Sequence, residues 1–288
     1  ALRPFSAPLP AAQAAAPRED PRVAAVVADV PTRVAGTQPG ASWGLDRIDQ
    51  AALPLDGAFT APSTAAGVRV YVFDTGIRYS HQDFGGRASL GFDAVTSGGE
   101  DCHGHGTAVA SAAAGDTFGV AKAAQIRSVR VMGCDGTGSS TDLIEGLDWM
   151  VAERRANPGT PMVAVLSLGS PAFQPTDDAI ERVIAAGVTV VVAAGNEGQD
   201  ACNVSPARVP GAITVGATAI DDSQSGFSNY GSCVDLFAPG SNVLLAGHHE
   251  DGGRMVASGT SFSAPYTAGV AALVLAQTPA ASPATVHG

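Results

Sequence analysis

The feature that limits this chain most is a set of apolar runs of strand length: "VRVYVFD" (68–74), "QIRSVRVM" (125–132), "MVAVLSL" (162–168), "VTVVVAA" (188–194), "AITVGA" (212–217) and "CVDLFA" (233–238). A strand packed on one face only alternates apolar with polar residues, because successive side chains point to opposite faces. Most of these runs do not alternate, so they are expected to be covered on both faces, as parallel strands are. Stretches of helical character separate them, at about 105–114, 141–155, 175–186 and 261–277. In the second, Thr141 is the expected cap, and Leu143, Ile144, Leu147 and Met150 recur at helical spacing. Strand and helix in repeated succession predict an α/β fold of three layers, a central, mostly parallel sheet with helices on both faces. Ligands of such sheets bind outside the carboxyl ends of the strands.

The front of the chain differs. Residues 1–40 open with "ALRPFSAPLPAAQAAAPRED", rich in Ala and Pro without a helical or strand period, and read as a flexible segment. A short β-like run, "RVAAVVADV", and the turn-rich "AGTQPGAS" follow; the compact domain is expected over 41–288. At 45% hydrophobic and 15% charged residues, the chain can bury one sizeable core. The formal net charge of −11 makes nucleic acid and anionic membrane surfaces poor partners. No run of about 18 apolar residues free of breakers marks a membrane span. The cysteines, Cys102, Cys134, Cys202 and Cys233, form no CxxC pair and suit two disulfides, with the pairing open at this point. Disulfides in turn imply an oxidising, extracellular compartment.

Three polar residues fall where such a sheet exposes chemistry. Asp74 closes the first run and is followed by Thr75 and Gly76; His105, in "DCHGHGTAVASAAAG", starts a helix; Ser261, in "ASGTSFSAP", starts the last long helix. Singly, these fit a turn residue, a solvated side chain and a helix cap. Together they are the types that make a nucleophile: a serine needs a base, and the base needs a third group to fix its tautomer and stabilise its charge.

The motifs "YVFDTGIRYSHQDFGGR", "HGHGTAVASAAAG", "VAVLSLGS", "VVAAGNEG" and "SGTSFSAP" resemble the Asp, His, substrate-binding, oxyanion-hole and Ser motifs of the subtilisin-like serine peptidases, in that family's order. Within the family, "WGLDRIDQAALPL", "CNVSPARVPGAITVGAT" and "FSNYGSCVDLFAPG" are similar to the proteinase K branch and its aqualysin-like secreted members, and the similarity covers nearly everything from residue 41.

The resemblance implies a subtilisin-like fold and a secreted serine endopeptidase acting on peptide or protein substrates as a monomer. In it Ser261 attacks, His105 carries the proton, Asp74 orients the imidazole, and Asn196 supplies an oxyanion donor. Gly136 and Gly138, with Ser167, Leu168 and Gly169, would hold the substrate as an added strand. Ser167, Leu168 and Gly169 with Ala193, Ala194 and Gly195 would line the pocket for the residue before the scissile bond, giving broad preference for apolar or aromatic side chains. No cofactor is implied for catalysis. Structural Ca²⁺ is implied at Asp46, Asp49, Gln50 and Asp56, and at the carbonyls of Pro210 and Ala212 with Asp235. Disulfides are implied between Cys102 and Cys134 and between Cys202 and Cys233. The segment ahead of residue 41 resembles the end of an inhibitory propeptide, with cleavage expected at 33–40.

Departures from the family pattern bear on packing. Ala108 and Ser111 stand where the family carries His and Gly, and a side chain at 111 is expected to crowd a close helix contact. The catalytic domain is expected to be truncated at its C-terminal end, since the chain stops at Gly288, soon after the nucleophile helix. A catalytically silent peptide-binding protein of the same fold is the competing function.

Overall fold

The structure is a computed structural model and describes residues 36–96 and 98–288. The expected propeptide segment therefore lies outside the described residues, apart from its last few positions. There, β1 (Thr37–Pro39) pairs antiparallel with β2 (Ala58–Thr60) across the short helix α1 (Trp43–Asp46), so paired structure begins slightly ahead of residue 41. Next come β3 (Arg69–Asp74), β4 (Ala88–Asp93), helix α2 (His105–Ala114), β5 (Gln125–Arg130), helix α3 (Ser140–Ala156) and β6 (Met162–Leu166). The two-residue β7 (Ser170–Pro171), helix α4 (Gln174–Ala185), β8 (Thr189–Ala193), β9 (Val204–Ser205), β10 (Ile213–Thr218) and β11 (Leu236–Pro239) follow. A hairpin of β12 (Val243–Ala246) and β13 (Arg254–Ala257) leads into helix α5 (Thr260–Gln277) and the short α6 (Pro283–His287).

The seven strands of the central sheet lie in the order β11-β10-β8-β6-β3-β5-β4, and every neighbouring pair is parallel. The uninterrupted apolar runs explain the layering. Val70 and Val72 of β3 and Val163 and Val165 of β6 face one way, Tyr71, Phe73, Ala164 and Leu166 the other, and none is more than 1% exposed. Helices α2 and α5 cover the first face; α3 and α4 cover the second through Leu143, Leu147, Met150, Ala179, Ile180 and Val183. This is the expected three-layer α/β fold. After β5 the chain crosses to the far side of β3, so the strand order reverses there, and such a reversal opens a crevice at the carboxyl ends.

Elements that the sequence pattern does not disclose have identifiable causes. The edge strand β4, "ASLGFD", carries a glycine and a register shift between Leu90 and Phe92, and it is only half-buried, so no apolar run announces it. Helix α3 is capped by Ser139 rather than Thr141: Ser139 Oγ accepts from the Asp142 N–H at 3.1 Å, and Asp142 Oδ2 accepts from the Ser139 N–H at 3.3 Å. Two of the orphan donors of that terminus are thereby satisfied reciprocally.

Ser111 does not crowd its neighbours. Its fully buried hydroxyl donates to the Ala108 carbonyl at 2.8 Å and accepts from the Ala246 N–H at 3.0 Å, bonding α2 to the β12–β13 hairpin. The close helix approach lies instead between α2 and α5, at Gly269. A Cβ there would stand 2.6 Å from both the Ala113 carbonyl oxygen and Val120 Cβ. Gly269→Ala should therefore cost about 1–3 kcal/mol through overpacking and lower the thermal midpoint. Gly226→Ala, where nothing stands within 4 Å of the new atom, should leave it unchanged.

Candidate active site

The site grows from the end of β3. Asp74 is the last residue of that enclosed strand and has 0% exposure, with Oδ1 accepting the Thr75 N–H at 2.8 Å. His105, the first residue of α2, brings Nδ1 to 2.8 and 2.9 Å from the two Asp74 oxygens. Since a carboxylate only accepts, Nδ1 carries the hydrogen, and Nε2 is left as a base. Burial works to lower the pKa of the imidazole, but the Asp74 charge and hydrogen bond, with the Asp101 charge, outweigh it and raise the value above 6.5.

Asp101 is a neighbour of this pair that the sequence motifs did not single out. Its Oδ1 accepts from Thr75 Oγ1 and from the N–H groups of His103 and Gly104, at 2.8–2.9 Å, and its Oδ2 accepts from Thr107 N and Oγ1. Burial opposes its charge, but these donors prevail and lower its pKa. A carboxylate at the start of α2 also satisfies N–H groups that a helix cannot pair internally. The signal was available, as an Asp four residues before the helix-start His105.

Ser261 occupies the second position of α5, half-buried. Its Oγ donates to the Ser167 carbonyl at 3.4 Å rather than to His105. In return, Ser167 Oγ donates to the Ser261 carbonyl at 2.7 Å. That carbonyl is available because Pro265, four residues on, has no N–H to fill it. Asn196 is exposed, and its Oδ1 accepts from Thr260 N at 2.8 Å and Thr260 Oγ1 at 3.0 Å, while among the described residues its amide NH₂ has no partner.

His105, Ser261 and Asn196 line one open cleft of about 900 Å³, and Gly136, Gly138, Ser167, Leu168 and Gly169 line it too. Ala193 and Gly195 also face it; Ala194 does not, being fully buried behind them. Cys102–Cys134 ties the loop ahead of His105 to the segment bearing Gly136, and Cys202–Cys233 joins the loop after β8 to the segment ahead of β11.

The expected calcium ligands are only partly free. Asp46 is 2% exposed, with Oδ2 accepting from Gly57 N at 2.8 Å, while Oδ1 is buried without a partner among the described residues, as is Gln50 Oε1. Asp49 Oδ2 and Asp56 Oδ1 accept from Thr60 N and Ala58 N. At the second position Asp235 is engaged on both oxygens, by Thr214 N at 2.7 Å and His287 Nε2 at 3.1 Å. Among the described residues no three His, Cys, Asp or Glu side chains converge as a metal site, and no helix is long and apolar enough to cross a membrane.

Residues 65–288 match the subtilase family, Peptidase S8. The chain is 49% identical over 288 residues to the "Extracellular serine proteinase" of Thermus sp. (strain Rt41A), covering 99% of this chain and 69% of that protein. It is 46% identical to "Alkaline serine exoprotease A" of Vibrio alginolyticus, covering 87% of this chain and 46% of that protein. A solved structure of a cold adapted subtilisin-like serine proteinase superimposes with a TM-score of 0.83 at 47% identity, over 86% of this chain and 90% of the other.

The geometry fixes the sign of one titration. In wild-type protein His105 should titrate above 6.5, followed by the imidazole resonances in NMR. In Asp74→Asn the Asp74 charge is gone while burial and the smaller influence of the Asp101 charge remain, so the same resonances should titrate at lower pH than in wild-type protein.

Proposed function

The chain belongs to the subtilase family of serine peptidases, and we propose that it acts as a secreted endopeptidase using Asp74, His105 and Ser261. The observation that carries this reading is the bond from His105 Nδ1 to the fully buried Asp74 carboxylate, in a cleft that His105 shares with Ser261. A rotation of the Ser261 side chain away from the Ser167 carbonyl brings Oγ to His105 Nε2. As Oγ attacks the peptide carbonyl carbon, its proton passes to Nε2, and Asp74 stabilises the resulting imidazolium without taking the proton. The oxygen of the tetrahedral intermediate is received by the amide NH₂ of Asn196 and the N–H of Ser261 in the first turn of α5. His105 then gives its proton to the leaving amine, and water repeats the sequence on the acyl-enzyme.

The substrate lies as a strand between Gly136–Gly138 and Ser167–Gly169, held by main-chain bonds. Small and apolar walls at Leu168, Ala193 and Gly195 give a broad preference for apolar or aromatic residues before the scissile bond. Secretion accords with two disulfides and with a relative named as extracellular. Monomeric action, and inhibition by the chain's own propeptide, complete the proposal. A silent peptide-binding protein would share the Ser261–Ser167 contact, but a binding role gives no reason to bury a carboxylate against His105.

Calcium is proposed at the Asp46 site, where Asp46 Oδ1 and Gln50 Oε1 are buried oxygens with no partner among the described residues. Hard oxygen donors suit Ca²⁺, and the ion would stabilise the α1–β2 region without entering the chemistry.

Two measurements test the catalytic assignments. A fluorophosphonate probe should label the folded, processed protein and not Ser261→Ala; unlabelled wild-type protein would refute the enzyme. Asn196→Ala should lose about 10²–10³-fold in kcat, the loss known for removal of one oxyanion donor in subtilisin, with little change in KM. For the metal, Ca²⁺ should raise the thermal midpoint over that in chelator for wild-type protein, and Asp46→Asn should remove the difference.

A further inference from the structure

The loop carrying Asn196 is held from beneath by a side chain that takes no part in the chemistry above. Asn229 has 0% exposure and uses the full capacity of its amide on this loop. Its Nδ2 donates to the Ala194 carbonyl at 2.9 Å and to Glu197 Oε2 at 2.8 Å, while its Oδ1 accepts from Glu197 N at 3.1 Å and Gln199 N at 3.0 Å. Its own N–H donates to the Gly195 carbonyl at 3.0 Å. The same Glu197 oxygen accepts the N–H of Asn196 at 3.0 Å, so Asn229, Glu197 and Asn196 form a relay. At Gly195, φ is +102° and an added Cβ would collide with Asn229 Nδ2, so the loop is shaped around this side chain.

We propose that Asn229 is a positioning residue for the oxyanion hole, setting the backbone from Ala194 to Gln199 so that the Asn196 amide points into the cleft. The other end of that amide is fixed by Thr260, through bonds to Asn196 Oδ1. Backbone and side chain of the donor are thus pinned from opposite sides. An oxyanion donor contributes through preorganisation, because one that must be reoriented during reaction spends part of its stabilisation on the move. The inference rests on the reading of Ser261 and Asn196 as catalytic groups.

The test is a double-mutant cycle in kcat, with Asn196→Ala, Asn229→Ala and the double variant, on an uncharged peptide substrate. Active-site titration counts competent molecules, and near-ultraviolet circular dichroism reports folding. Asn229→Ala should lose about tenfold or more in kcat, within the about 10²–10³-fold worth of one donor. In the Asn196→Ala background the same change should cost no more than about twofold, because the group it positions is gone. A residue that only stabilises the fold would give losses that multiply, or none in kcat, and either result overturns the proposal. If Asn229→Ala does not fold, Glu197→Ala, an exposed change in the same relay, takes its place in the cycle: coupled losses support the positioning role, and multiplicative or absent losses overturn it. Wild-type protein that neither hydrolyses peptide nor takes the fluorophosphonate probe would overturn the catalytic reading itself. Active wild-type protein with multiplicative losses would overturn only the role of Asn229.

Discussion

Asp74 is a carboxylate without solvent exposure at the end of a strand enclosed on both faces. A buried charge persists only where it is paired and hydrogen-bonded, since leaving it alone costs several kcal/mol. The fold meets that demand with the Thr75 N–H and the imidazole of His105, and this requires the start of α2 to be seated against the end of β3. Asp101, bonded to Thr75 Oγ1 and to the first turn of α2, anchors the same junction from the side. The position of the His105 imidazole is therefore a consequence of how the sheet pairs its buried charge.

The remaining groups arrive from distant parts of the chain, and a second class of contact brings them into one cleft. Ser167 follows β6, Asn196 follows β8, and Ser261 begins α5; all three lie beyond carboxyl ends on the side of β3 to which the chain crosses after β5. Polar bonds between backbone and side chain fix their spacing: Ser167 to the Ser261 carbonyl, Asn196 to Thr260, and Asn229 to the Asn196 loop. The apolar layers set which segments meet. Hydrogen bonds set the distances between them, because dispersion contacts have no direction and amide bonds do.

Much of this was legible in the sequence, and the limits are physical. Unbroken apolar runs such as "VTVVVAA" gave away the parallel sheet because burial on both faces leaves no room for polar alternation. Edge strand β4 stayed hidden because an edge needs no such purity. Asp74, His105, Asn196 and Ser261 could be named from motifs, yet their mutual distances depend on long-range packing that no local pattern encodes. Thr75, Thr260 and Asn229 were missed for a related reason. Each acts on a partner through bonds that only the folded chain creates, and a buried Asn in "FSNYG" reads locally as an ordinary turn residue.

The start of α5 shows why these supports cannot be dispensed with. Its N-cap is Gly259, and no side chain at that position accepts a hydrogen bond from the helix. A Ser or Asp cap would ordinarily add about 1 kcal/mol by filling an orphan N–H. On the catalytic reading proposed above, such a cap would also occupy an N–H group that the oxyanion needs. The Thr260 N–H is instead filled by Asn196, 64 residues away. Pro265 frees the Ser261 carbonyl on the other side, and Ser167 takes it up. The helix terminus is thus satisfied by the same residues that build the cleft. Any shift of the Asn196 loop would disturb the helix start and the donor geometry together.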